Sequence, residues 1–534
     1  MREAGAMDAV VVGTGPNGLV AANLLAERGW DVLALEAAPE PGGAVRSAEL
    51  IEPGFVNDLC SAFYPLAAGS PIFRSLQLEQ HGLRWRHAPL VLAHPTLDDC
   101  PVLSRDLACT VASLDAHMPG DGEGWVRLYE RWLDLRVPLL DAVLRPFPPV
   151  RALPGLLARR PYDLLRLARF ALLPVRRLGQ EEFRGEAARR LLAAAALHAD
   201  LMPESTLSGF FGWLMCALGQ DAGWPVPEGG AGALTHALVR RLRSLGGDVR
   251  CDARVERVVV RGGRAVAVRI AGGEEIAVRR AVIADVDAPT LYRALVGEEH
   301  LPSRLVDDLD RFQWDSGTVK VDWNLDAPIP WSAPDARRAG TIHVVDSVDA
   351  LTVVASQLVR GIIPDRPFLL VGQQSMTDAT RQPEGRETVW AYTHVPQDVR
   401  ADAGGALTGR WDDSEAQTFA DRIESEIERL APGFRSLIRG RHVVTPPGFE
   451  RENPNLVGGA IGGGTMQLQQ QLVFRPVPGL ARAETPVAGL YLGSASAHPG
   501  GGVHGAPGAN AARAAIWGDR RAAVSRRARR ATQR

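Results

Sequence analysis

Lysine is all but missing from this chain: Lys320 is the single one among 60 Lys and Arg residues. Chemistry that needs an amine or a small, tunable cation therefore falls on that position. Cysteine is scarce as well. The five, Cys60, Cys100, Cys109, Cys216 and Cys251, contain no C-x-x-C or C-x-x-x-x-C pair, which argues against a redox dithiol and a cysteine zinc site. An odd count without paired spacing fits a reducing compartment, and the opening MREAGAM lacks an apolar signal core, so a cytoplasmic location is expected. No uninterrupted apolar run approaches ~20 residues, so no transmembrane helix is expected. The net charge of −2 gives no basic surplus, and a nucleic-acid partner is not expected.

What is present is an ordinary globular chain of 534 residues, 46% hydrophobic and 23% charged, long enough for two or three domains. It is organised around Asp8 to Arg46. Val10, Val11 and Val12 form a β-branched run that suits a buried parallel strand. Gly13, Gly15 and Gly18 follow as G-x-G-x-x-G, with Pro16 and Asn17 inside the motif. The first glycine permits a tight turn, the second lets backbone approach a pyrophosphate, and the third lets the next helix pack close. Leu19 to Arg28 reads as that helix, ended by Gly29. Its N-terminus would aim amides at phosphate. Asp31 to Leu35 reads as a second strand, ending at Glu36 and Ala37, where the Glu36 carboxylate would bind a ribose hydroxyl. An acid there disfavours a 2′-phosphate and hence NADP.

These residues admit NAD or FAD. The doublet Gly42-Gly43, just past Glu36, favours FAD, because it resembles the second glycine motif of the flavoproteins that include amine oxidases and phytoene desaturases. GTGPNGLVAA and GGAVRSAELIEPGF resemble more closely the branch of carotenoid/retinoid oxidoreductases that includes pyridine nucleotide-disulfide oxidoreductase domain-containing protein 2. Many relatives carry Arg directly after the doublet. This chain has Ala44, with Arg46 as the candidate cation two residues on. The resemblance implies an α/β fold: a Rossmann-like FAD-binding domain of the amine oxidase/phytoene desaturase type, interrupted by an α+β substrate domain. The expected FAD-binding pieces are 1–75, 225–295 and 455–519; the substrate or cap pieces are 76–224 and 296–454.

Asp58, Cys60 and Ser61 fall where the resemblance leads toward the flavin ring, and read best as strand and turn beneath it. Leu/Ala/Arg segments from about Leu76 to Gly223 read as helices. Within them Arg151 to Arg177 holds seven arginines and one acid, Asp163. Such a helix either lies on a membrane surface or simply solvates an arginine face, and the second reading is favoured. The resemblance implies that backbone near Val255 meets the adenine. Expected strands in the second substrate piece are Thr318–Leu325, Thr341–Val345, Phe368–Gln373 and Val389–Val395, with a helix at Asp412 to Leu430.

The second cofactor motif is GLYLGSASAHPGGGVHGAPGANAARAAIWGD. Leu490 to Leu492 reads as a strand, Gly500 to Gly502 as a bare turn, and Ala506 to Trp517 as a helix aimed at flavin N1 and O2. Gly493, Ser494, Gly502 and Val503 are the cofactor candidates here. Ser494 stands where many relatives have an acid. The final stretch, 520–534, with seven arginines and no acid, reads as a disordered tail.

The expected function is an FAD-dependent oxidoreductase that removes hydride from a small hydrophobic substrate, isoprenoid or lipid-like, and is reoxidised by oxygen or a quinone. No second nucleotide fingerprint of the first kind is read for NAD(P)H, so a disulfide reductase is not expected. A flavin amine oxidase and a non-catalytic flavin protein remain alternatives. His498 and His504 are acid–base candidates, although histidines in turns are more often structural. In SGTVKVDWNLDAPIPW, Lys320 would share a strand face with Thr318 and Asp322. It resembles the lysine that amine oxidases aim at flavin N5; a surface lysine on an edge strand is the competing reading.

Overall fold

The computed structural model describes residues 6–146, 148–149 and 161–532. Strand β1 (Met7–Val12) is covered on both sides, which is why its sequence does not alternate. Ala9 and Val11 pack into one core with Leu19 and Ala22 of helix α1 (Pro16–Ala26), while Val10 and Val12 join another with Leu35 and Val282. Each such valine contributes about 1.5 kcal/mol or more on burial. Helix α1 opens at Pro16 directly after Gly15, earlier than the glycine spacing alone suggests. Strand β2 (Val32–Leu35) pairs in parallel with β1.

The chain then leaves for a second layer: β3 (Leu90–Ala93), β4 (Val102–Leu103), and helices α2 (Asp121–Leu144), α3 (Pro161–Leu172) and α4 (Ser208–Asp221). Part of the arginine-rich stretch, 151–160, lies outside the described residues. It returns through β5 (Asp248–Arg250), β6 (Val255–Arg261), β7 (Arg264–Ile270) and β8 (Glu275–Ala284). It departs again through β9 (Gly317–Leu325), β10 (Ala339–Val344), β11 (Leu369–Gly372), β12 (Glu387–Val395), α5 (Asp413–Leu430) and β13 (Ile438–Val444). Strand β14 (Leu490–Leu492) and helix α6 (Ala506–Thr532) close the fold.

Two seven-stranded sheets result. The first runs β6-β7-β8-β1-β2-β5, with β14 also on β8. The second runs β13-β9-β12-β11-β10-β3-β4. On one face of the second sheet, Val319, Val321, Trp323, Val389 and Ala391 form a core with Phe419, Ile423 and Ile427 of α5. Asp412 caps α5 by accepting from the Glu415 amide at 3.0 Å. The alternate residues of β9 and β12 face the other way.

One expectation needs correction, and one competing reading falls. Residues 520–532 are not a disordered tail: α6 continues through them to Thr532. Beyond Gly518 the sequence is rich in Ala and Arg and free of Gly and Pro, so nothing in it stops a helix. Lys320 is not on an edge strand, because β9 lies between β13 and β12 and every residue of it is buried.

Candidate functional site

A cavity of about 690 Å³ runs from the end of β1 to the inner face of the second sheet. Its first half is built by the β1–α1 turn. Gly13 adopts a φ of +90°, and a Cβ there would lie 2.7 Å from the Asp285 carbonyl oxygen. Gly13, Gly15, Pro16 and Asn17 line the cavity; Gly18 does not. It serves the close packing instead, since a Cβ would lie 2.3 Å from the Gly13 oxygen, and its N–H donates to Asp285 Oδ2 at 2.8 Å.

Glu36 stands in the wall at the end of β2. Its Oε2 accepts from the Thr14 amide at 3.0 Å and from Thr14 Oγ1 at 2.5 Å, and its Oε1 from the Ala38 amide at 3.0 Å. Ala37, Gly43 and Val255 line the same half. Gly42 is buried behind it. Arg46 points to backbone, donating to the Gly43 carbonyl at 2.9 Å and the Glu452 carbonyl at 3.4 Å, so it braces the doublet rather than lining the cavity. At the far side Ser494, Gly502 and Val503 line the wall, whereas Gly493 is bound into the sheet through its amide to the Ala284 carbonyl. The spacing G-x-G-x-x-G does recur, at Gly500, Gly502 and Gly505, but in a turn that belongs to this same wall before α6.

This half fits FAD on its own chemistry. It has an acid at the end of β2 and a helix N-terminus at its turn. Asn17 Oδ1, buried in the first turn of α1, has no partner among the described residues, so a polar group is missing there. Asp285 faces the same turn. Burial, aided by the Glu36 charge, pushes its carboxyl up to about 7 against the Gly18 hydrogen bond.

The second half is walled by the second sheet and α4. Across the sheet Lys320, Tyr392, Leu370 and His343 stand side by side, with Asp322, Trp390, Gly372 and Thr341 in the next row. Phe211, Leu214 and Met215 of α4, with Trp224, close the opposite side. Lys320 lines the cavity yet is only 1% exposed. Its Nζ donates to the Asp58 carbonyl at 2.9 Å and pairs with Asp322 Oδ2. Burial raises the Asp322 carboxyl, and the lysine opposes that shift. Asp58 in turn pairs with Arg381 at 2.5 Å, and Arg381 with Asp378 at 3.2 Å. Cys60 and Ser61 line the cavity too. Burial pushes the Cys60 thiol up to about 11, so it is not a thiolate at neutral pH.

Neither His498 nor His504 lines the cavity, which places both acid–base candidates behind its wall. His504 Nδ1 accepts from the Ala506 amide at 3.1 Å and so caps α6. Desolvation pushes both imidazoles down to about 4, leaving them neutral. Four further titratable groups that do line the second half are His198, Asp200, Asp315 and His394. Burial pushes Asp200 up to about 7, with the Asp315 charge adding to it. Asp315 is held by the amides of Ile461, Gly462 and Gly464 at 2.7 to 3.1 Å. None of the four carries a local spacing signal; they meet only through the fold.

Comparison with known proteins decides the family. Residues 17–321 match the family described as flavin containing amine oxidoreductase. The chain belongs to the flavin-containing amine oxidoreductase family. It is an FAD-dependent oxidoreductase, and FAD is its cofactor. Among relatives of this flavin oxidoreductase, pyridine nucleotide-disulfide oxidoreductase domain-containing protein 2 from Rattus norvegicus is 31% identical over 95% of the chain and 92% of the relative. The neurosporene-forming phytoene desaturase from Cereibacter sphaeroides is 25% identical over 93% of the chain and 92% of the relative. In architecture it is similar to an oxidoreductase from Methanosarcina mazei (TM-score 0.61, 13% identity, 96% of this chain and 100% of that one). It is also similar to wild-type putrescine oxidase bound to putrescine (TM-score 0.59, 17% identity, 96% and 98%).

Proposed function

We propose that this flavin oxidoreductase is a dehydrogenase or desaturase of a small hydrophobic substrate, isoprenoid or lipid-like, with oxygen or a quinone as the final acceptor. The observation that carries the reading is the wall of the second half-cavity, where Phe211, Leu214, Met215, Trp224, Trp390 and Tyr392 present apolar and aromatic surface. Bound FAD supplies the hydride acceptor at N5. The chain's part is to seat the nucleotide on Gly13–Asn17 and Glu36, to keep water from the reacting carbon, and to hold Lys320 on the adjoining sheet face. Phytoene desaturases among the relatives support the same substrate class.

Anaerobic mixing of the FAD-loaded protein with an isoprenoid and lipid panel is expected to bleach the flavin band near ~450 nm. Bleaching by an amine panel alone would favour amine oxidation, a second reading supported by Asp200 and Asp315 in the wall. No bleaching with either panel would leave a non-catalytic flavin protein. Peripheral membrane contact belongs to the same proposal. Tyr162, Leu165 and Leu172 of α3 are 62%, 70% and 50% exposed beside arginines, which suits delivery of a lipid-soluble substrate. Co-sedimentation with anionic vesicles, lost on Leu165→Glu, tests it. Among the described residues no helix is long and apolar enough to cross a membrane.

A further inference from the structure

The second half of the cavity is apolar, yet its walls hold polar atoms that the protein itself does not satisfy. Thr341 is 2% exposed, and its Oγ1 has no hydrogen-bond partner among the described residues. Thr318, 1% exposed on β9, is in the same condition. Buried hydroxyls are nearly always paired, because a dry one forfeits the hydrogen bonds it made to water. Both residues line the cavity, so each hydroxyl is placed to bond whatever fills it.

Thr341 has a neighbour of matching character. Two residues on, along the same face of β10, His343 Nε2 lies 2.7 Å from His198 Nε2. Two ring nitrogens at that distance share one proton, one ring donating and the other accepting. The His343 ring is held edge-on by His94 and Phe368, with centroids at 5.7 Å and 5.5 Å. His198 lines the cavity and has spent Nε2 on His343, which leaves Nδ1 for whatever enters. Burial keeps both imidazoles neutral at physiological pH.

We infer that Thr341 and His198, the latter positioned by His343, form a polar handle that binds an oxygen function, a hydroxyl or a carbonyl, on an otherwise apolar substrate. This rests on the dehydrogenase reading above and narrows its substrate class. A pure hydrocarbon would leave the Thr341 hydroxyl dry. A carboxylate or phosphate needs a cation, and the lysine on this sheet face is already neutralised by Asp322. An ammonium would be drawn to the Asp200 and Asp315 carboxylates instead. A neutral oxygen is what a threonine hydroxyl and a neutral imidazole bind together.

The test is calorimetric titration of the FAD-loaded protein with 4-phenyl-1-butanol, 4-phenylbutan-2-one and butylbenzene. Thr341→Val, nearly isosteric, is expected to weaken the alcohol and the ketone about tenfold, while butylbenzene stays within about twofold. His343→Phe is expected to weaken the same two probes by freeing the His198 ring. Three probes responding alike to Thr341→Val, no response from any of them, or no binding of any to the unaltered protein would overturn the handle. Flavin absorbance of the same samples reports FAD content separately, so a failure of the cofactor reading is seen apart from a failure of the handle.

Discussion

Lys320 and Asp322 are a buried pair, 1% and 0% exposed in their side chains, and each is the other's main compensation. Removing one partner of such a pair costs about 3–5 kcal/mol, because the remaining charge stays buried. Lys320→Met should therefore lower the melting temperature markedly, and adding Asp322→Asn should restore most of it; flavin reoxidation by oxygen is then measured on the stable double variant, where slowing is expected. Glu36→Gln should weaken FAD by about 1.5–3 kcal/mol with the fold unchanged, read by equilibrium dialysis. Asp285 sets a pH dependence. Its carboxyl is raised to about 7 in the folded chain against an ordinary 3.8, so the folded state holds a proton that the unfolded state has lost. Stability falls as pH rises between those values. Above pH 7 a carboxylate faces the phosphate seat, and FAD should bind more weakly. Asp285→Asn should flatten both profiles, seen by melting and FAD titration at pH 5.5 and 8.

Helix α6 carries its functional content at its N-terminal end, where His504 caps it and Gly502 and Val503, just ahead of it, line the cavity. Arg521 stacks on a half-exposed Trp517, with its guanidinium carbon 3.8 Å from the ring centroid. Truncation after Asp519 should leave FAD content unchanged and shift the melting temperature by no more than about 2 °C. The elements were largely legible in the sequence. β9, β10, β11 and β12 appear within two residues of the expected spans, because short runs rich in apolar and β-branched residues report buried strands. The β1–α1 turn was legible because its glycines fall at one fixed local spacing, although the Asp285 contacts that demand Gly13 and Gly15 come from about 270 residues away. The histidine pair was not, since His198 and His343 are 145 residues apart and neither stands in a motif. The extension of α6 was hidden by a composition that reads equally as helix or as tail.

At the scale of the molecule, the two sheets meet over one cavity, and buried charge ties the second sheet to the segment that follows the glycine doublet. Asp58, reached from the glycine doublet, accepts from Lys320 at its carbonyl and pairs with Arg381 at its carboxylate. FAD seated across this junction should stabilise both sheets at once. At a hundredfold excess over its Kd the gain is about 2.7 kcal/mol. Calorimetry should show one transition that moves up with FAD; two transitions, with one unmoved, would show that the sheets unfold independently. The order of strands in the first sheet also sets a schedule for synthesis. β1 and β2 leave the ribosome before the rest of the sheet, β5 to β8 follow more than 200 residues later, and β14 and α6 more than 450 residues later. The nucleotide seat therefore cannot close on a nascent chain until β14 and α6 have emerged, and β1, an apolar strand meant for the centre of a sheet, stays exposed to chaperones until its neighbour β8 follows.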